Sequence, residues 1–193
     1  MARIELASCE DLPEGDRHLL ESLSAKEGLP REYHHLIDDP QRDVYRAIGR
    51  NPPLLEPFRT FGRTVWNRCG VGPRRRELAI LTVAREFDAE YEWHQHVRIG
   101  LKEGLAPGEI HAIGAGEFES FSGDDRVLVR YVRSYVSGDV DDETIAAFVD
   151  TYDEAAVVGI GLLAGVYVTV ALLADALQLE TEEPFVGWDL SNL

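Results

Sequence analysis

Apolar positions along the chain recur at helical spacing, and nowhere do they alternate with polar ones over a sustained run bounded by hairpin turns. Pro52-Pro53 can open a helix at its first turn, and Leu54 to Cys69 then runs with Pro57 and Gly62 as its only breakers. Gly70-Val-Gly-Pro73 reads as a turn, after which Arg74–Phe87 has helical composition throughout. A second helix is predicted over Ala89–Lys102, closed by Gly104, with Pro107 opening the next. Ser122-Gly-Asp-Asp125 has capping-box spacing ahead of Val127–Val136, and Asp141-Asp-Glu143 repeats that signal before Ile145–Tyr152. Asp153 then leads into a long apolar helix. The predicted fold class is all-α.

That last helix contains twenty consecutive uncharged residues, Ala155 to Ala174, about the length that spans a bilayer core. Asp153 and Glu154 precede it, Asp175 and Glu180 follow it, and no Lys or Arg occurs from Ser134 onward, so the positive-inside signal is missing. Its small residues (Gly159, Gly161, Ala164, Gly165, Ala171) suit close helix contact, and Tyr167 is its one aromatic. The expectation is a helix buried in protein, partly at a subunit boundary, and no membrane partner. Around it the chain divides into an N-terminal arm with a short helix over 1–40, one helical domain over 41–183, and a tail over 184–193. Phe185 and Trp188 of the tail are expected to anchor in a neighbouring subunit's groove.

Charge narrows the partners. Thirty-five acids against 19 bases leave a net charge of −16, which repels phosphate backbones, so no nucleic acid is expected. Residues 134–193 hold twelve acids and no base. Only two of the bases, Lys26 and Lys102, are lysines. The two cysteines, Cys9 and Cys69, are sixty residues apart, which suits a reducing cytoplasm and neither a disulfide framework nor a four-cysteine zinc site. An N-terminus without an apolar run gives no signal-peptide pattern, so the expected location is cytoplasmic.

Chemistry concentrates on the two central helices. On a helical wheel of the second, Ala89, Trp93, Val97, Gly100, Leu101 and Gly104 form an apolar stripe with His96 at its edge. Glu92 stands one turn before His96 on the same flank, while Glu90, His94, Arg98 and Lys102 are expected to drift out to solvent. On the first, Glu77 shares a face with Ile80, Leu81, Ala84 and Phe87. A carboxylate aimed at a core is rarely left without a partner. If the two helices form an antiparallel hairpin, Glu77 meets the part of the second that carries His96, giving two carboxylates and one imidazole suited to acid–base work. Taken alone, the Glu92–His96 pair reads more readily as a surface contact worth a few tenths of a kcal/mol. His94 and His96 point about 200° apart on a helix and cannot chelate one ion together, so no metal site is expected.

Three stretches together carry a resemblance: Arg76-Glu-Leu-Ala-Ile-Leu-Thr-Val-Ala84, Glu90-Tyr-Glu-Trp-His-Gln-His96 and Gly104-Leu-Ala-Pro-Gly-Glu-Ile110. They resemble the carboxymuconolactone decarboxylase family, whose superfamily includes the alkylhydroperoxidase D-like proteins, over roughly residues 53–135. The resemblance implies an alkylhydroperoxidase D-like helical bundle assembling as a trimer or hexamer. Its peroxidase branch has a Cys-x-x-Cys-x-x-x-His motif; matched onto this chain, the cysteine positions hold Ala89 and Glu92, and the histidine is His96. A dithiol mechanism is therefore not available. The decarboxylase branch resembles this chain in having Glu at the second of those positions. It implies Glu77, Glu92 and His96 as catalytic residues acting without metal or cofactor on a small carbonyl or lactone substrate. Tyr91, Trp93 and Arg85 are the expected substrate-binding residues, though no arginine is fixed by the motif, and Arg98 and the Arg74–Arg76 run are further choices. An antioxidant-family member that has lost its cysteine pair, or a non-catalytic oligomer binding a small molecule, are the alternatives.

Overall fold

The computed structural model describes residues 2–21, 43–181 and 184–193. Among the described residues every regular element is helical: α1 (His18–Glu21), α2 (Asp43–Ile48), α3 (Pro52–Arg68), α4 (Pro73–Glu86), α5 (Glu90–Lys102), α6 (Pro107–Gly114), α7 (Gly123–Ser137), α8 (Asp142–Thr151) and α9 (Glu154–Leu177), with three short 3₁₀ turns. The all-α expectation holds, and prolines start α3, α4 and α6, where a missing N–H costs nothing. α3 runs through Pro57, which sits early in the helix on an exposed face where solvent reaches the carbonyl it leaves unpaired.

Capping chemistry separates two signals that look alike in sequence. Asp141 and Asp153 cap α8 and α9, accepting hydrogen bonds from Thr144 N at 2.7 Å and Ala156 N at 2.6 Å. Ser122 stands at the N-cap of α7 but makes no side-chain cap, and the Asp125 carboxylate that would complete a capping box pairs with Arg74 and Arg75 of α4. The same two arginines reach Glu109 and Asp124, tying the start of α4 to α6 and α7.

α4 is the central element. It touches α5, α6, α7 and α9, and each residue from Arg76 to Ala84 is buried. α9 packs along α3, α4, α5, α7 and α8. By length and composition α9 could also cross a membrane. Its small residues make close contacts: a side chain at Gly159 would overlap the Cys69 carbonyl, and one at Gly161 would meet the Tyr131 hydroxyl at 3.1 Å. Its far stripe, with Val158, Leu162 and Leu172, is exposed.

Both chain ends fold onto this body. In the N-terminal arm, Ala7, Leu12, Leu19 and Leu20 bury against Leu55 of α3, and Arg3 donates from its backbone N–H to the Leu177 carbonyl at the end of α9. The arm is thus less loosely packed than the sequence implies over residues 2–21; its remainder to residue 40 lies outside the described residues. The tail runs without helix along its own chain's α5 and α6. Val186 is fully buried, Trp188 lies 4.9 Å from Trp93 between ring centroids, and a side chain at Gly114 would overlap the Trp188 carbonyl. The aromatics expected to seek a neighbour's groove are therefore engaged within the chain.

Candidate active site

The turn between α4 and α5 is short, with Asp88 in the left-handed region at φ 48°. The two helices therefore pack as the antiparallel hairpin that the sequence requires, and Glu77 meets His96. His96 Nδ1 lies 2.8 Å from Glu77 Oε2, and the other carboxylate oxygen accepts from Arg76 Nε at 2.8 Å. Glu77 has no solvent exposure and His96 3%. Glu92 Oε2 lies 3.8 Å from His96 Nε2, longer than a hydrogen bond but within reach of a shared ligand group. The three predicted catalytic residues are brought together.

Electrostatics fixes the proton on the ring. Burial pushes the Glu77 carboxyl up, but the charge and hydrogen bond of His96, followed by those of Arg76, outweigh it and hold the group below the usual carboxylate range. An ionised carboxylate only accepts, so Nδ1 carries the hydrogen and donates it to Glu77. That leaves Nε2 to exchange a proton, facing Glu92, with the Tyr167 ring edge-on at 4.9 Å between centroids.

The predicted substrate-binding residues divide. Tyr91 is buried beside Val44, Val170 and Ala174, its hydroxyl accepting from Val44 N at 3.4 Å, so it borders the same α5–α9 seam as Tyr167. Trp93 and Arg85 do not reach the site. The Trp93 indole donates to the Gly187 carbonyl at 3.0 Å, and Arg85 donates to the Gly114 carbonyl at 2.8 Å, pairs with Asp88 and lies over the Trp188 ring. Both serve the tail, Trp93 through Gly187 and Arg85 through Gly114 and Trp188. His94 is also not solvent-facing: it is 4% exposed and its Nδ1 accepts from Val186 N at 3.2 Å. His94 and His96 thus diverge, as their spacing requires.

Two contributions are absent from the sequence prediction. Tyr167 could have been noticed as the one aromatic in twenty apolar residues. Arg76, adjacent to Glu77, is 5% exposed and lies flat on Trp66, its guanidinium carbon 3.3 Å from the ring centroid. Cys69 is buried and free, and burial pushes its thiol up, away from the thiolate that peroxide chemistry needs.

The sequence pattern of the carboxymuconolactone decarboxylase family matches residues 52–124, the stretch from α3 to the first turn of α7 that contains Arg76, Glu77, Glu92 and His96. Residues 52–124 carry a carboxymuconolactone decarboxylase family domain. No curated protein sequence matches the chain. Among solved structures, the debrominase Bmp8 in its apo form is similar with a TM-score of 0.70 and 12% identity, covering 94% of this chain and 95% of that one. A cysteine-to-alanine variant of Bmp8 in complex with 2,3,4-tribromopyrrole is similar to the same degree, covering 94% of both chains. At that identity the likeness is one of fold, and it extends over nearly the whole chain.

Proposed function

We propose that the protein is a cofactor-independent enzyme of the carboxymuconolactone decarboxylase type, moving a proton to or from carbon on a small lactone or carbonyl compound. The observation that carries this reading is the buried hydrogen bond from His96 Nδ1–H to an ionised Glu77, which orients the imidazole and leaves Nε2 to exchange a proton. In a decarboxylation the bond to the carboxylate breaks and carbon dioxide leaves. The electron pair enters the lactone carbonyl as a dienolate, and His96 Nε2–H delivers its proton to carbon. His96 then recovers a proton from solvent. Glu92 is placed to orient the substrate or the incoming proton.

The charged groups favour a substrate with little negative charge. Arg74 and Arg75 are held by Asp124, Asp125 and Glu109, Arg85 by Asp88, and Arg76 by Glu77. A lactone or carbonyl with at most one carboxylate fits these commitments better than a dianion does. The reading includes a cytoplasmic homo-oligomer, a trimer or hexamer, for which the exposed apolar residues Leu54 and Phe61 of α3 and Val158, Leu162 and Leu172 of α9 offer a surface.

The test is incubation with carboxymuconolactone and with lactones carrying a single carboxylate, following carbon dioxide release and the decarboxylated product. Turnover by the natural chain that His96→Gln loses supports the reading. Turnover retained in His96→Gln, or none with any lactone, contradicts it.

A further inference from the structure

Sequence alone places Arg76 among the arginines available to a substrate carboxylate. Its surroundings assign it another task. The guanidinium lies flat on Trp66, donates from Nε to Glu77 Oε1 at 2.8 Å, and holds Nη2 at 3.7 Å from Glu103 Oε1 at the end of α5. Nη2 is buried and makes no hydrogen bond among the described residues. Stacked on one face, bonded along one edge and 95% buried, this cation has neither the freedom nor the open side to meet a substrate. What it does reach is the oxygen of Glu77 that His96 leaves unused.

We propose that Arg76 is a positioning residue for this site: held by Trp66, it acts as a fixed cation that keeps Glu77 anionic and aimed at His96, so that the imidazole keeps its hydrogen on Nδ1 and offers Nε2. This rests on the reading of His96 as the proton-transferring group. The geometry supplies the reason for the cation. A carboxylate with no solvent exposure would otherwise take up a proton itself, and a neutral Glu77 presents a hydroxyl that competes for Nδ1. Two positive groups act on one carboxylate, His96 when protonated and Arg76 permanently, so the acceptor stays unchanged while His96 changes state. Arginine suits this role because it stays charged when buried and stacks on an aromatic face. The titratable groups that meet His96 include Glu77 of α4, Glu92 of α5 and Tyr167 of α9, with Arg76 behind Glu77. The Cys69 thiol senses the Arg76–Glu77 pair from the end of α3.

The experiment is ¹⁵N NMR of histidine-labelled full-length protein, with the His96 signals assigned by their loss in His96→Gln. The natural chain is expected to show neutral His96 as the Nδ1–H tautomer. In Arg76→Gln, losing the cation favours an added proton, so the titration midpoint of the coupled Glu77–His96 pair rises by about one pH unit or more. In Arg76→Lys, which keeps an amine but neither the stack on Trp66 nor the Nε bond to Glu77, the midpoint rises by less than in Arg76→Gln. A folded Arg76→Gln with unchanged His96 signals overturns the proposal. Should Arg76→Gln fail to fold, a midpoint raised in Arg76→Lys supports the proposal and one unchanged from the natural chain overturns it. The readout needs no turnover. A chain inactive on every lactone but shifted in Arg76→Gln refutes the catalytic reading alone, and an active chain without the shift refutes the positioning role alone.

Discussion

His96 Nδ1 stands 2.8 Å from Glu77 Oε2, a contact made across the α4–α5 hairpin between residues nineteen positions apart. Neither partner is open to water, so the interaction is far less screened than a surface pair would be. It gives the imidazole a single orientation, set by α4, and directs Nε2 toward Glu92 and Tyr167.

Replacing Glu77 tests that contact through stability. Glu77→Gln removes the charge from a buried network and leaves Arg76 without its closest carboxylate, which should cost roughly 3–5 kcal/mol near neutral pH. The folded-state value of Glu77 is depressed, so the unfolded chain binds the proton first as pH falls. The contribution of the carboxylate is complete above its unfolded value, about 4.3, and is lost as pH drops through the folded one. Urea denaturation between pH 7 and pH 3 should show the gap between the natural chain and Glu77→Gln narrowing at the acid end. A constant gap would mean that Glu77 is not ionised in the folded protein. Asp11 and Asp141 are also held low, by Ser8 and by Thr144, and they cancel in that difference.

The tail offers a second test, independent of catalysis. Gly114→Ala places a methyl group against the Trp188 carbonyl and within 3.2 Å of the Trp93 ring. Displacing the tail should cost about 1–3 kcal/mol and change the tryptophan fluorescence, since Trp93 loses its hydrogen bond to Gly187. Unchanged stability and emission would show that the tail does not pack within its own chain.

Cys69→Ser should leave any lactone turnover unchanged, and the natural chain should show no thiol-dependent reduction of hydroperoxides. Its thiol is buried and pushed up, with Cys9 lying elsewhere in the N-terminal arm. Peroxidase activity abolished by Cys69→Ser would contradict this.

Much of this arrangement was legible in the sequence. Local signals carry the helices: prolines at the starts of α3, α4 and α6, aspartates before α8 and α9, and apolar spacing between them. Glu77 and His96 were legible because a charged residue on an apolar stripe needs a partner, and a short turn allows only one hairpin. Long-range contacts were not. Trp93 sits on the same apolar stripe whether it faces a substrate or a C-terminal tail, and only Gly187 and Trp188 decide between them. His94 reads as exposed because the segment that covers it, Val186, lies ninety-two residues away. Arg76 has the composition of a surface cation, and the Trp66 ring that receives it belongs to another helix. The capping box expected at Ser122 lacks its return contact for a similar reason, since the Asp125 carboxylate is claimed by arginines about fifty residues earlier.

The central claim is that His96 exchanges a proton with substrate carbon. The most direct measurement is deuterium incorporation, by NMR, at the carbon next to the carbonyl of small lactones and carbonyl compounds in heavy water. The natural chain is predicted to label that carbon enzymatically, and His96→Gln, folded by circular dichroism, to fall by about 10²–10⁴-fold. Equal labelling by the two chains, or none above the uncatalysed rate with the natural one, would contradict the account.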